Sequence, residues 1–137
     1  MRRASSVVGL ALVLAAAIAS AEPSAPPLPI PAAREVDHIV LIARSGEAVI
    51  TDAKVIEDFV AFLRARNTDW RTPWDTFPTP QLTFHVVGRE NLDLVLWLGP
   101  NWLGGREASA GARDNRLRSL SEKDHAEALK ILGATAQ

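Results

Sequence analysis

Apolar residues recur along the chain at two different spacings, which separate predicted strands from predicted helices. Residues 35–43 form a β-branched, apolar run that predicts a strand in the interior of a sheet, and residues 48–51 are compatible with a short partner strand. Over residues 55–65 the apolar side chains recur every three or four positions. This spacing predicts an amphipathic helix, for which Thr51 or Asp52 supplies the N-terminal cap.

Two segments in the second half of the chain place a large apolar residue at every second position. Residues 81–88 and 92–98 therefore predict two strands joined by a short turn. A further strand is predicted around residues 116–120, and Ser121 is predicted to cap a last helix that ends at Gly133. The predicted buried face of the two alternating strands carries Leu82, Phe84, Val86, Leu92, Leu94, Leu96 and Leu98.

The segment that follows these two strands carries few β-forming residues. Pro100 and the glycines of residues 99–105 predict a tight bend, and the small residues of 104–112 predict a mobile connection. The predicted order of elements is β, an optional β, α, β, β, β, α. Because the strands group into hairpins around one long helix, this order favours an α+β fold. We expect an antiparallel sheet of three to five strands, with one main helix and a C-terminal helix packed on it.

The N-terminus has the three parts of a cleavable Sec-type signal peptide. Arginines follow Met1, residues 7–18 form an apolar run, and small residues occupy positions 19–21, so we predict cleavage after Ala21. A membrane-spanning helix needs about 20 apolar residues, and this run is shorter. We therefore expect a periplasmic or secreted protein with no membrane span after cleavage. The absence of cysteine excludes a lipoprotein anchor.

The remaining chain divides into a linker, one domain and a tail. Five of the nine residues from Pro23 to Pro31 are proline, which favours extended backbone, so residues 22–33 are predicted to form a flexible linker. Residues 34–133 are then one small domain, and residues 134–137 are a tail. Without cysteine the domain has no disulfide, and core packing must stabilise it.

The charge of the chain argues against a nucleic-acid partner. The chain has 15 basic and 16 acidic residues, and cleavage removes two arginines, which leaves 13 against 16 and a formal charge of −3. The densest basic cluster, at Arg113, Arg116 and Arg118, is interpreted as a solvated surface rather than a phosphate-binding stripe. The abundance of arginine and alanine suggests a GC-rich bacterial genome.

Tryptophan is the least ordinary feature of the composition. The chain has four tryptophans and no tyrosine; two of the tryptophans fall in a long, proline-containing loop over residues 67–80. Long ordered loops and amphipathic indoles are common in binding sites, so we hypothesise a binding surface. The alternative is a hydrophobic lid that closes one end of the core. The candidate binding residues are Trp70, Trp74, Phe77, Trp97 and Trp102.

Motifs that carry catalysis are missing from the sequence. There is no glycine loop for phosphate, no dinucleotide fingerprint, no zinc-protease or calcium-loop spacing and no serine-hydrolase elbow. One weak polar pair, His85 and Asp93, is predicted to share the outward side of the hairpin, like a base with its orienting carboxylate. The alternative is an ordinary surface pair across two strands. We expect neither a metal nor a cofactor.

These patterns lead to three functional hypotheses. The first is a non-catalytic envelope or secreted module that binds a protein partner through the tryptophan- and proline-rich loop. The second is a module that binds cell-wall glycan. The third, which has the least support in the sequence, is a small hydrolase that uses His85. The sequence leaves the oligomeric state open.

Overall fold

The described chain forms one antiparallel sheet of six strands and two helices, which confirms the predicted α+β class. The computed structural model describes residues 23–73, 77–90 and 93–133. The predicted signal peptide, Trp74, Leu92 and the predicted tail lie outside these residues. The sheet has six strands rather than the predicted three to five, and the strand that the sequence did not predict is the fifth.

The strands lie side by side in the order β2-β1-β3-β4-β5-β6. Short 3-10 turns precede the first and the last strand, at Ala33–Glu35 and Ala112–Asp114. In chain order the elements are β1 (Val36–Ala43), β2 (Gly46–Ile50), α1 (Ala53–Ala65), β3 (Leu82–Gly88), β4 (Leu94–Leu98), β5 (Trp102–Glu107), β6 (Arg116–Ser119) and α2 (Glu122–Leu132).

Alternation along the strands gives the sheet two different faces, because residues paired across strands share a face. The face that packs against the helices, here called the inner face, carries Ile39, Leu41, Leu82, Phe84, Val86, Leu94, Leu96, Leu98 and Leu103, all of them buried. The opposite, outer face carries His38, Val40, Ile42, Thr83, His85, Val87, Val95 and Trp97. The predicted division of β3 and β4 into a buried and an outward side is thus confirmed for the described residues.

Both helices begin and end as predicted. The Asp52 carboxylate accepts hydrogen bonds from the first-turn amides of α1 at 2.9 and 3.1 Å, and the Ser121 hydroxyl caps α2 at 3.1 Å. Helix α2 ends at Gly133, whose φ of 64° suits glycine. The apolar stripe of α1 meets the inner face, where the Phe59 and Phe84 ring centroids are 5.2 Å apart. Neither described helix is long and apolar enough to cross a bilayer.

Strand β5 occupies part of the segment that was predicted to be a tight bend and a mobile connection. Its two central glycines are buried, and each leaves room for a neighbouring side chain. A Cβ atom on Gly105 would lie 2.6 Å from Leu96 Cδ2, and one on Gly104 would lie 3.1 Å from Phe77 Cζ. Glycine has a low intrinsic preference for β-strands. Close packing on both faces explains why this segment nevertheless forms one.

The proline-rich segment that was interpreted as a flexible linker lies against the domain. Leu28 is 3% exposed, and the Asn67 side chain bonds both its N–H and its C=O at 2.8 Å. Ser24 forms a β-bridge with Arg71, which in turn bridges Leu117 on β6. These contacts extend the sheet beyond β6 and cover that edge.

Two residues of the basic cluster, interpreted from the sequence as solvated, hold backbone carbonyls of irregular segments. Arg116 Nε donates to the Pro26 carbonyl at 2.7 Å. Arg118 Nη1 donates to the carbonyls of Arg66 and Thr68, just beyond the C-terminus of α1. A cation at this position complements the helix dipole. These arginines therefore have a structural role that their charge pattern did not indicate.

Candidate functional site

Three aromatic rings meet on the outer face, and we call Phe77, Trp97 and Trp102 the aromatic cluster. The Phe77 ring centroid lies 5.0 Å from that of Trp97 and 5.4 Å from that of Trp102, and both contacts are edge-to-face. Aromatic pairs favour this geometry. Phe77 and Trp97 are half-buried, whereas Trp102 is 8% exposed. Solvent therefore reaches the cluster mainly at Phe77 and Trp97.

Two glycines create the space in which the aromatic cluster packs. Trp97 pairs with Gly104 on the neighbouring strand, and a Cβ atom there would lie 3.1 Å from both Phe77 and Trp102. The Trp102 indole folds back over Gly99, where a Cβ atom would lie 1.8 Å from Nε1. The turn that contains Gly99 was predicted from the sequence, but its packing against an indole was not.

A cation lies beside the aromatic cluster. The Arg106 guanidinium carbon is 5.9 Å from the Trp97 ring centroid, at the outer limit of a cation–π contact. Arg106 Nη1 also donates to the Ala110 carbonyl, which holds the side chain over the sheet. Its Nε is buried and has no hydrogen-bond partner. The Arg106 guanidinium, held in place by the Ala110 carbonyl, therefore forms the polar edge of the aromatic cluster.

Trp70, another candidate binding residue, lies in the core. It is 2% exposed, and its Nε1 donates to Asn67 Oδ1 at 2.8 Å. Such burial leaves no indole surface for a partner. Trp74, in the same loop, lies outside the described residues. The structure thus brings together three of the five candidate aromatic residues and places Trp70 apart from them.

The outer face of β1 and β2 carries an apolar surface that sequence reasoning missed. Ile42 is 38% exposed and Val49 is 63% exposed, and Val40, Val87 and Val95 beside them are half-buried. No described helix packs on this face, which distinguishes it from the inner face. The continuous apolar run of β1 suggested a strand buried on both sides. The polar Thr83 and His85 in the paired positions of β3 were the signal that its outer side is accessible.

A hollow of about 460 Å³ opens beside Trp102, at the end of the outer face near β6. Asp69, at its wall, has a φ of 59°, a left-handed conformation that Asp tolerates better than most residues. The lining combines an indole with carboxylate, amide, hydroxyl and guanidinium groups. Its residues are Asp69, Arg71, Asn101, Trp102, Leu117, Arg118 and Ser119.

A second hollow, of about 690 Å³, lies between the two helices, but its central charges are already paired. Arg66 Nη2 contacts Asp124 at 2.8 Å and Glu127 at 3.0 Å. The hydrogen bond from Arg66 lowers the pKa of Asp124 below its ordinary value. The guanidinium also lies 3.9 Å from the Phe62 ring centroid. These contacts join α1 to α2, so the charged groups that line the hollow have a structural role.

The structure does not join His85 and Asp93 by a hydrogen bond. Asp93 Oδ1 accepts from the Gly88 backbone N–H at 3.0 Å, so the carboxylate supports the β3–β4 turn. His85 pairs with Val95, and its Nε2 is buried without a hydrogen-bond partner. The arrangement therefore lacks the contact by which a carboxylate would orient a catalytic imidazole.

The other two histidines bond to separate partners. His38 Nδ1 is 2.7 Å from Asp37 Oδ2 on the same strand, and His125 Nε2 is 3.0 Å from Gln81 Oε1. Within residues 23–73, 77–90 and 93–133, no three His, Cys, Asp or Glu side chains come together in a group that could hold a metal ion.

Comparisons of the chain with protein-family models, curated proteins and solved structures found no match. The function is therefore inferred from the residues of this chain alone.

Proposed function

We propose that this protein is a non-catalytic module that binds a protein partner through the outer face of its sheet. The contact surface comprises the half-buried aromatic residues Phe77 and Trp97, the exposed Ile42 and the half-buried Val40 and Val95. The observation that carries the proposal is the contrast between the two faces: helices cover the inner face, while the outer face exposes large apolar side chains.

The chemistry of this surface favours a partner with apolar side chains. Aliphatic residues recognise other apolar groups by burial and offer no hydrogen bonds to a sugar. Aromatic residues and arginine are enriched in protein interfaces, and here Arg106 lies at the edge of Trp97. The predicted export of the chain places such a partner in the bacterial envelope or outside the cell.

Replacing Ile42 by Lys tests the proposed surface. The charge would lie on the outer face, in the same row across the strands as Thr83 and Trp97. We therefore expect capture of an envelope protein by the wild-type module and at least a tenfold weaker affinity for the variant. The affinity is measured by calorimetry with the purified captured protein. About 1.4 kcal/mol corresponds to tenfold, which desolvating one lysine readily exceeds.

Ala126→Lys is the matched control, because Ala126 is exposed on α2, away from the outer face. It adds the same charge and is expected to bind as the wild type does. Equal weakening by both variants, or none by Ile42→Lys, would contradict binding through the outer face.

A glycan partner is the second candidate, and the hollow beside Trp102 favours it. An indole next to amide, hydroxyl and carboxylate groups is the usual chemistry of saccharide recognition. Here Asn101, Ser119 and Asp69 supply those polar groups. This function uses the β6 end of the outer face rather than the aliphatic surface, so the two candidates are separable.

Soluble peptidoglycan fragments test the glycan function by quenching of tryptophan fluorescence. We expect saturable quenching in the wild type and about tenfold weaker binding in Asn101→Ala, since hydrogen bonds lost from a site cost about 1.5 kcal/mol or less each. Ser109→Ala, an exposed position outside the hollow, is the control. Absence of quenching in the wild type would rule out this use of the hollow.

A further inference from the structure

We propose that two copies of this chain associate through β2. The two β2 strands pair antiparallel across a twofold axis at Ala48 and join the two sheets into one continuous sheet of twelve strands, twice the six of each copy. The partner is thus a second copy of this chain, and the contact differs from the outer-face surface proposed above.

The two edges of the sheet differ in whether another described segment pairs with them. At the β6 edge, Arg71 lies beside Leu117 and Ser24 lies beside Arg71. At the β2 edge, no described residue pairs with the outer side of the strand, and residues 46–49 are exposed. Natural proteins protect edge strands with proline, lysine, bulges or a covering segment. Strand β2 carries none of these and has Glu47 as its one charge.

The hairpin determines which backbone groups of β2 point outward. Ala43 and Gly46 flank a two-residue turn, and residues in that position form a hydrogen-bonded pair. Because bonded and non-bonded pairs alternate, Ala48 also bonds to β1. The N–H and C=O groups of Glu47 and Val49 therefore point to the open side, where they are ready to accept another strand.

Charge selects one register among those that a twofold axis allows. An axis at Glu47 would place two carboxylates opposite each other, which is destabilising. An axis at Val49 would bring Arg44 towards Lys54. An axis at Ala48 instead places Glu47 opposite Val49 of the second copy. It also brings Arg44, in the turn, towards Asp52 of the second copy, so that opposite charges approach at both ends of the interface. Arg44 forms no ion pair among the described residues.

Ala48, the residue at the proposed axis, is small enough to lie opposite its own copy. With Glu47 bonded to Val49 of the second copy, the Ala48 pair is non-hydrogen-bonded, the type in which side chains approach most closely. Ala48 pairs with Leu41 and so points to the inner face, where two methyl groups fit without a clash. On the outer face, the 63% exposed Val49 gains a neighbour, the aliphatic part of Glu47 from the second copy.

The test uses the chain without residues 1–21, the predicted mature form, in sedimentation velocity over a concentration series. We expect a reversible dimer. Val49→Pro removes the outward N–H but leaves the bonds to β1 intact, so the dissociation constant should rise at least tenfold. Val49→Thr keeps the N–H and the β-branched shape, and is expected to dimerise as the wild type does.

Arg44→Glu tests the register. It should weaken the dimer several-fold, because it places a carboxylate opposite Asp52, whereas the same change at the exposed Arg113 should have no effect. Amide exchange in the wild type adds a readout that needs no variant. The amides of Glu47 and Val49 should exchange more slowly as concentration rises, while that of Ala48 stays protected throughout.

A protein that stays monomeric at every soluble concentration would overturn the proposal. So would a dimer that Val49→Pro leaves unchanged, or one whose protected amides lie outside β2. An edge that accepts a strand from a different envelope protein would also leave the purified chain monomeric, and that result counts against self-association. None of these outcomes depends on the outer-face function, which Ile42→Lys tests separately.

Discussion

Replacing Trp70 by Ala is expected to lower the free energy of unfolding by about 3–5 kcal/mol, the usual cost of truncating a buried indole. Trp70 is 2% exposed and belongs to the main hydrophobic core. Its removal also leaves Asn67 Oδ1 without one of its two donors. A domain of this size has about 5–15 kcal/mol of stability in all, so the loss would be a large share of it.

The measurement is urea denaturation of the predicted mature form, followed by circular dichroism because the variant changes the fluorophores. Trp97→Ala is the control: Trp97 is half-buried, and we expect a loss of about 1–2 kcal/mol. Trp70→Phe keeps most of the ring and loses the N–H donor, and should lie between the two. If Trp70→Ala were as stable as the wild type, Trp70 would not be a core residue and its indole would be available to a partner.

Gly99→Ala is expected to cost about 3 kcal/mol of stability, although it adds a single methyl group. The new Cβ would lie 1.8 Å from Nε1 and 2.2 Å from Cε2 of Trp102. A rigid indole cannot deform, so it must leave its place and lose its contact with Phe77. Backbone strain is not the reason, because Gly99 is not among the residues with positive φ.

Thermal or urea unfolding measures this loss, and a double-mutant cycle identifies its cause. In a Trp102→Ala background the added methyl has space, so Gly99→Ala should then cost little. Gly111→Ala is the matched control, since no atom lies within 4 Å of its Cβ position. An unchanged cost in the Trp102→Ala background would mean that the turn, rather than the indole, requires glycine.

Part of the candidate site can be predicted from the sequence. The tryptophan content indicated the segment in which the aromatic cluster lies, and alternation placed Trp97 on the outward side of β4. The sequence had no means of separating Trp70 from Trp97, because a core indole and a surface indole have the same composition. The Asn67 side chain that accepts from Trp70 is local in sequence, yet its bonds to Leu28 span 39 residues.

No hydrogen bond joins the predicted pair of His85 and Asp93, for a related reason. Alternation can place two side chains on one face, but it does not say which hydrogen bond a carboxylate prefers. The turn amide of Gly88 lies within reach of Asp93, and a backbone donor in a turn is fixed in position. The Asp93 carboxylate therefore accepts from this nearby amide and stabilises the turn.

Sequence patterns alone predict the helices, their caps, the inward face of β3 and β4 and the α+β class, because periodicity and capping are local properties that neighbouring residues encode. The assembled fold was needed to show that the glycine-rich segment forms β5 and that the proline-rich segment packs against the core. It also shows that no described helix covers the outer face and that no described strand pairs with the free side of β2. These features depend on contacts between distant residues, such as Leu28 with Asn67 and Phe77 with Trp102. The propensities of neighbouring residues carry no information about such contacts, so they are seen only in the folded structure.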